Sequence, residues 1–161
     1  MMTKQINKKF LFSILIFIFF VLACTFVIEY GLDHKPCKLC LYERIPYFLS
    51  ALLILKIFFI KGYEKITLLI LSLIFIISSI LAFYHFGIEK GFFEESAACT
   101  NGNILNTLTK EQILEQLKQT PISCKNVTFE IMGFSLATIN TLFSIVLSVI
   151  FIKLFINYGK N

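Results

Sequence analysis

Charge is what this sequence has least of. Asp, Glu, Lys and Arg together make up 16% of its 161 residues, against about 25% in a soluble domain. Tryptophan is absent, while phenylalanine occurs 19 times. Hydrophobic residues reach 57% and the mean hydropathy is +0.81. The length fits one domain, and a soluble domain of that size would leave large apolar patches exposed. An ordinary soluble fold is therefore excluded. So is a disordered chain, which needs low hydrophobicity and high charge. There is no internal repeat and no low-complexity tract outside the apolar runs. The net charge of +5 would suit an acidic partner such as nucleic acid, but its distribution along the chain excludes that.

What is present is a set of long uncharged runs. Phe10 to Ile28 and Phe134 to Ile152 each give 19 residues without a charge, and Ile66 to Ile88 gives 23 whose only ionisable members are Tyr84 and His85. Each is near the roughly 20 residues that cross a bilayer as a helix. A shorter run, Ile45 to Ile60, contains Lys56 near its inner end, where the side chain can snorkel to the interface. Pro46 suits the first turn of a helix, and this span is expected to begin upstream of Ile45. The expected fold is an all-α membrane protein, a four-helix transmembrane bundle. Its spans lie at about 10–28, 45–60, 66–88 and 134–156, with outer loops at about 29–44 and 89–133.

The charges orient the spans. Lys4, Lys8, Lys9, Lys56, Lys61, Lys65, Lys153 and Lys160 fall on one side, opposed by Glu64 alone; the other two connections hold seven basic and nine acidic residues. The positive-inside rule then places both termini and the short Lys-rich loop in the cytoplasm. Val21-Leu22-Ala23-Cys24 faintly resembles a lipoprotein cleavage site, but Leu22 fits it poorly and three more spans follow. Cys24 is expected to be a small buried apolar residue.

No catalytic domain fits outside the two outer loops, so any chemistry belongs at the membrane surface. In the long loop, Thr109-Lys110-Glu111-Gln112 reads as a capping box, and Leu108 with Ile113 as its hydrophobic staple. A short amphipathic helix carrying Ile113, Leu114 and Leu117 is expected there, ended by Pro121. Asn126-Val127-Thr128 matches a glycosylation sequon, a common and uninformative match.

No cysteine lies on the cytoplasmic side. Cys37, Cys40, Cys99 and Cys124 all fall on the outer side, where disulfides persist, and four of them suggest two bridges. Cys37-Lys38-Leu39-Cys40 has the C-x-x-C spacing of redox dithiols. A bridge across two residues removes little unfolded-state entropy and is a poor staple; it suits opening and closing. Cys99 and Cys124 could form the second bridge, as a redox pair or as a structural clip. A structural zinc site is the competing reading, but zinc sites usually show two short C-x₂₋₄-C knuckles and only one is present. Arg44, four residues after Cys40, would share a helix face with it and favour its thiolate; the plainer role is an interfacial anchor. His85, one turn from the outer end of the third run, is an ionisable residue inside a span and so a functional candidate, or a neutral imidazole satisfied by a neighbouring helix. His34 is expected to be an unremarkable loop residue, and Tyr42 and Tyr47 to belong to the interfacial belt.

The segment Lys35-Pro36-Cys37-Lys38-Leu39-Cys40-Leu41-Tyr42-Glu43-Arg44-Ile45-Pro46-Tyr47 closely resembles the disulfide bond formation protein B (DsbB) family. Two further segments are similar: Ala82 to Glu89 followed by Ala97-Ala98-Cys99, and Pro121-Ile122-Ser123-Cys124 followed by Gly133 to Ala137. The resemblance covers nearly the whole chain and is strongest to alphaproteobacterial members. It implies an inner-membrane enzyme that reoxidises a periplasmic DsbA-like thiol oxidase and passes the electrons to a quinone, ubiquinone or menaquinone. Such a DsbA–DsbB–quinone chain keeps the bacterial periplasm oxidising. It implies that Cys99 is attacked by the partner's thiolate, that Cys124 is its bridge partner, and that electrons pass to Cys37-Cys40 by exchange involving Cys37 and Cys124. Cys40 would face the quinone, with Arg44 and, more weakly, His85 in the quinone pocket. No metal and no nucleic acid are implied. Two rival readings are a vitamin K epoxide reductase-like quinone reductase, in which the C-x-x-C follows the loop pair rather than preceding it, and a non-enzymatic membrane assembly protein with structural disulfides.

Overall fold

A computed structural model describes residues 7–60, 62–95, 99, 123–125, 130–131 and 133–158. The expected amphipathic helix at 109–121 and the sequon at 126–128 lie outside the described residues. The described chain is helical apart from one minimal hairpin. Helix α1 spans Lys8–Phe26 and runs directly into a π-helical turn, Val27–Gly31; α2 spans Lys38–Phe59 and α3 Glu64–Glu89. Strands β1 (Glu130–Ile131) and β2 (Phe134–Ser135) pair antiparallel and lead straight into α4, Leu136–Asn157. The hairpin turns at Gly133, whose φ of +81° is a conformation that glycine adopts without steric cost.

The helix starts are set by local chemistry. The Asn7 carboxamide oxygen accepts from the backbone N–H groups of Lys9 and Phe10 at 3.2 and 3.4 Å. The Ser135 hydroxyl accepts from the Thr138 N–H at 3.2 Å. Each satisfies donors that a helix N-terminus leaves free. Helix α2 begins at Lys38, well ahead of Ile45, and Pro46 lies inside it rather than in its first turn. Proline cannot donate to the carbonyl four residues back and normally breaks a helix. Here the helix runs through, and its face is fixed by contacts to α3 and α4 described below.

All four helices contribute to one core. It includes Leu11 and Ile18 from α1, Tyr47 and Ile54 from α2, Leu68 and Phe75 from α3, and Leu147 and Phe151 from α4. The Phe75 ring stacks on Phe151 at 5.4 Å and meets the Tyr47 ring edge-on at 5.7 Å. The most extensive packing is between α3 and α4. Its buried residues include Ser72, Ser78 and Ala82 on α3, and Ala137, Ser144 and Ser148 on α4. Small side chains let helix backbones approach closely, which is how helices associate in lipid. The Ser78 and Ser144 hydroxyls meet at 3.1 Å across that contact.

The outward faces are apolar: Phe12, Phe20, Leu52, Ile77 and Ile80 are each more than half exposed. Three of the helical segments, Lys8–Gly31, Glu64–Glu89 and Leu136–Asn157, are long and apolar enough to cross a membrane. Helix α2 is as long as α4, but carries Lys38, Glu43, Arg44 and Lys56. Lys56 lies over the Tyr63 ring at 5.8 Å, at the end of α2 away from the cysteines.

Truncating the central ring tests this packing. Phe75→Ala leaves a cavity between α2, α3 and α4. The expected cost is about 3 kcal/mol, the low end for a buried aromatic, because lipid rather than water is the alternative environment. A lowered thermal midpoint of the detergent-solubilised protein would measure it.

Candidate active site

Cys37 is the N-cap of α2. Its backbone is extended, and its sulfur accepts from the Cys40 N–H at 3.3 Å. The C-x-x-C spacing puts Cys40 in the first helical turn, with the two sulfurs 2.9 Å apart as free thiols. A thiolate at a helix N-terminus is stabilised by the free N–H groups and the helix dipole. The Cys37 thiol is lowered, chiefly by its hydrogen bond with the Cys40 thiol, and His85 and the Cys40 N–H add to the effect against the opposing cost of burial.

The imidazole comes from the last turns of α3. His85 is 1% exposed. Its Nε2 lies 3.5 Å from the Cys37 sulfur, and its Nδ1 lies 2.8 Å from Glu43 Oε1. With Nδ1–H donated to the carboxylate, Nε2 faces the thiol as an acceptor. Glu43 is itself buried, and its second oxygen accepts from Asn140 Nδ2 on α4 at 2.6 Å. The Asn140 oxygen accepts from the Tyr47 hydroxyl at 2.6 Å, and that hydroxyl lies 3.4 Å from Ser144. One hydrogen-bonded line therefore runs from Cys37 through His85, Glu43 and Asn140 to Tyr47, and joins three helices. A second carboxylate, Glu89, holds one oxygen 3.9 Å from His85 Nε2 and accepts from the Ser135 hydroxyl with the other.

The second cysteine pair packs against the first. Cys99 and Cys124 are disulfide-bonded, with Cα atoms 5.6 Å apart, and both are 2% exposed. They share one buried cluster with Cys37, Leu39 and Ile88, flanked by Cys40, Leu81 and Tyr84. Glu95 pins the turn that carries Cys124: its carboxylate accepts from the Ser123 hydroxyl, and from the Lys125 N–H at 2.8 Å. These two donors hold the Glu95 carboxyl below its usual range.

On its other side Cys40 borders a cavity of about 350 Å³ between α1, α2 and α4. Apolar side chains such as Phe20, Val21, Ile28, Leu136, Ile139 and Phe143 line most of it, and Glu43, Arg44, Tyr47 and Asn140 supply polar atoms. That size and mixture are typical of small-molecule sites. The Arg44 guanidinium pairs with Glu29 on the π-helical turn and lies over the Phe26 ring at 5.3 Å. Its charge is therefore matched by a carboxylate rather than by the Cys40 thiolate.

Several side chains lie elsewhere than the sequence suggested. Tyr47, expected in the interfacial belt, is 3% exposed and holds Asn140, whereas Tyr42 is half exposed. His34, expected to be unremarkable, lines the cavity, as does Cys24. His85 does not line it, but reaches the site through Cys37 and Glu43. Glu43 and Glu89, counted among the outer-loop charges, are interior groups. Sequence reasoning passed over Glu43 and Asn140 as site residues. The signal for Asn140 was a carboxamide within an uncharged run, and for Glu43 its four-residue spacing from Tyr47, which puts both on one helix face.

The sequence profile of the family described as "Disulfide bond formation protein DsbB" matches residues 7–154. The chain belongs to the DsbB family. An uncharacterized protein of Rickettsia prowazekii (strain Madrid E), RP370, is 32% identical over 161 residues, covering 98% of this chain and 93% of its own length. No solved structure matches. DsbB-family membership makes this a membrane protein of disulfide bond formation, and the buried contact between a C-x-x-C dithiol and a loop disulfide is a geometry suited to thiol–disulfide chemistry.

The polar line can be cut at its centre. Asn140→Leu removes the donor to Glu43 and the acceptor of Tyr47, leaving two buried groups short of a partner at about 1–3 kcal/mol each. The expected result is a lower thermal midpoint and faster alkylation of Cys37 in the reduced protein, read by mass-tag labelling.

Proposed function

We propose that this protein is a protein-dithiol:quinone oxidoreductase of the bacterial inner membrane that reoxidises a periplasmic DsbA-like thiol oxidase. The observation that carries this reading is the position of the C-x-x-C dithiol: it packs against the Cys99–Cys124 bridge and also borders the apolar cavity. In this reading all four helices cross the bilayer, α2 with its charged outer turns in the protein interior. Both termini face the cytoplasm, as the lysine distribution requires.

The exchange steps balance without a further oxidant. A thiolate of the reduced partner attacks Cys99, forming a mixed disulfide and releasing Cys124 as thiolate. Cys124 attacks Cys37 of the closed Cys37–Cys40 pair, forming a Cys37–Cys124 bond and releasing Cys40. The partner's second thiol displaces Cys99, and the partner leaves oxidised. Cys99 thiolate then displaces Cys37 from Cys124. This recloses the loop bridge and leaves Cys37 and Cys40 reduced. Nucleophile and target must be accessible to each other, and the shared cluster supports that for Cys37 and the loop pair.

The cavity fits a quinone head group: it is largely apolar, it borders Cys40, and it offers Arg44 and Asn140 as donors. A bound quinone would supply a two-electron, two-proton acceptor. Around it, Arg44 with Glu29 and Asn140 would orient the carbonyl oxygens, and Cys40 would present the reacting sulfur. His85, with Nδ1 anchored on Glu43, faces the Cys37 sulfur and would favour its thiolate as the pair reacts.

Reconstitution with a reduced thioredoxin-fold dithiol protein and ubiquinone tests this. Cys37→Ser and Cys124→Ser should each abolish quinone reduction; full rate in either variant would overturn the electron path. Arg44→His should raise the quinone concentration for half-maximal rate about tenfold, equivalent to about 1.4 kcal/mol. In cells deprived of quinone, thiol trapping should show reduced Cys37 and Cys40 accumulating, whereas purely structural bridges would stay closed.

A further inference from the structure

Cys37, Cys40 and His85 do more than meet pairwise. Their two sulfurs and Nε2 all lie within 4.8 Å of one another. The ring is also oriented as a metal-binding imidazole is: one nitrogen is donated to a buried carboxylate, Glu43 at 2.8 Å, and the other faces the sulfurs. Ligating histidines almost always carry such a carboxylate or carbonyl partner, which fixes the tautomer and raises ligand basicity. A fourth donor is at hand in Glu89, whose Oε1 lies 3.9 Å from Nε2 and whose other oxygen is anchored by Ser135.

Distances decide which ion fits. With Zn–S near 2.3 Å and Zn–N and Zn–O near 2.0–2.2 Å, a tetrahedral ion separates S from S by about 3.8 Å, S from N by about 3.5 Å and N from O by about 3.4 Å. The Cys37–His85 separation of 3.5 Å already matches. The sulfurs, at 2.9 Å, must part by about 0.9 Å; Glu89 must close by about 0.5 Å on Nε2 and by more on the sulfurs, since it stands outside the group that lies within 4.8 Å. Rotation of the Cys40 side chain about its Cα–Cβ bond supplies the first movement. A divalent ion also cancels the charge of two thiolates in a site that excludes water. Two sulfurs, one imidazole and one carboxylate suit zinc rather than magnesium or calcium, which take oxygen ligands.

We propose that the reduced Cys37–Cys40 pair, with His85 and Glu89, is a binding site for a thiophilic divalent cation of the zinc class. Binding releases the thiol protons that the pair still carries and involves no electron transfer, since zinc has no redox chemistry. It requires the dithiol: once Cys37 and Cys40 are joined to each other or to another thiol, the ligand set is gone. Zinc would therefore lock the pair in its reduced state and halt its onward oxidation. The site stands on its own geometry and does not depend on the quinone reading above.

The test uses full-length protein in detergent, carrying Cys99→Ser and Cys124→Ser so that the loop sulfurs are absent. It is reduced with a phosphine that is then removed without air, and titrated with Co²⁺. One equivalent should give near-ultraviolet sulfur-to-cobalt charge-transfer bands and the visible bands of a tetrahedral ion, with proton release in weak buffer. One equivalent of Zn²⁺ should bleach them. Oxidation of the pair with diamide should prevent binding, and Glu43→Gln should weaken it about 10–100-fold. His85→Ala should weaken it at least as far, with His85→Gln as a second variant if the first does not fold. Cys24→Ser should leave the bands unchanged. Absence of the bands from the reduced protein, their survival after oxidation or in both His85 variants, or their loss in Cys24→Ser would each overturn the site. Because these spectra are read without quinone or partner, a failure of quinone reduction leaves this result intact, and the reverse holds equally.

Discussion

The rest of the site depends on one buried carboxylate. Glu43 has two oxygens and no water to share them with. One is taken by His85 and the other by Asn140, so a residue of α2 is tied at once to α3 and to α4. Inside an apolar bundle an unpaired carboxylate is far more costly than a paired one, and the three helices can satisfy it in few other registers. The same bonds decide where the imidazole points. His85 reaches the Cys37 sulfur because its far nitrogen is held, and Cys37 is in reach because it caps the helix on which Glu43 rides. Packing in lipid gives helices weak directional preference; here a short polar line specifies the register.

On the proposed reading, two different reactions would share this small protein. The C-x-x-C turn has one side against the loop bridge and another against the cavity, so neither sulfur needs a domain to carry it between partners. The Cys124 turn is held from outside by Glu95, a half-buried residue whose contacts are to a hydroxyl and a backbone N–H. The bridge is thus buried among apolar neighbours yet anchored from a solvent-facing side. On the proposed reading, this suits a bond that a partner protein attacks.

Much of the architecture was legible in the sequence because it rests on composition along the chain. The uncharged run from Ile66 lies within α3, the run from Phe10 fills α1 and enters its π-helical turn, the run from Phe134 enters α4 after two strand residues, and the run from Ile45 lies in a helix that starts earlier. That earlier start was expected although Pro46 argues locally against helix at Ile45; how far upstream it lies is set by the cap at Cys37. Spacing made the C-x-x-C pair conspicuous, because its partners are neighbours in sequence. The contact of Cys37 with His85, 48 residues away, and that of Glu43 with Asn140, 97 away, follow from helix rotation, which no single segment encodes. Tyr47 illustrates the difficulty: at a helix end beside a charged residue it has the composition of an interfacial aromatic, and the network alone makes it a core residue. Arg44 is a second case, because its proximity to Cys40 in sequence says nothing of Glu29 across the cavity.

The π-helical turn at Val27–Gly31 has a consequence of a different kind. A π turn amounts to one residue inserted into an α-helix, and each residue of an α-helix advances the chain by 100° about the axis. Without the insertion Glu29 would be turned by that angle relative to the rest of α1, and the carboxylate that faces Arg44 would lie on another side of the helix. The cavity's ion pair is therefore set by the length of the chain between Phe26 and Leu32 as much as by the residues that make it. Within this fold a binding site can be re-aimed by counting, with every side chain left as it is.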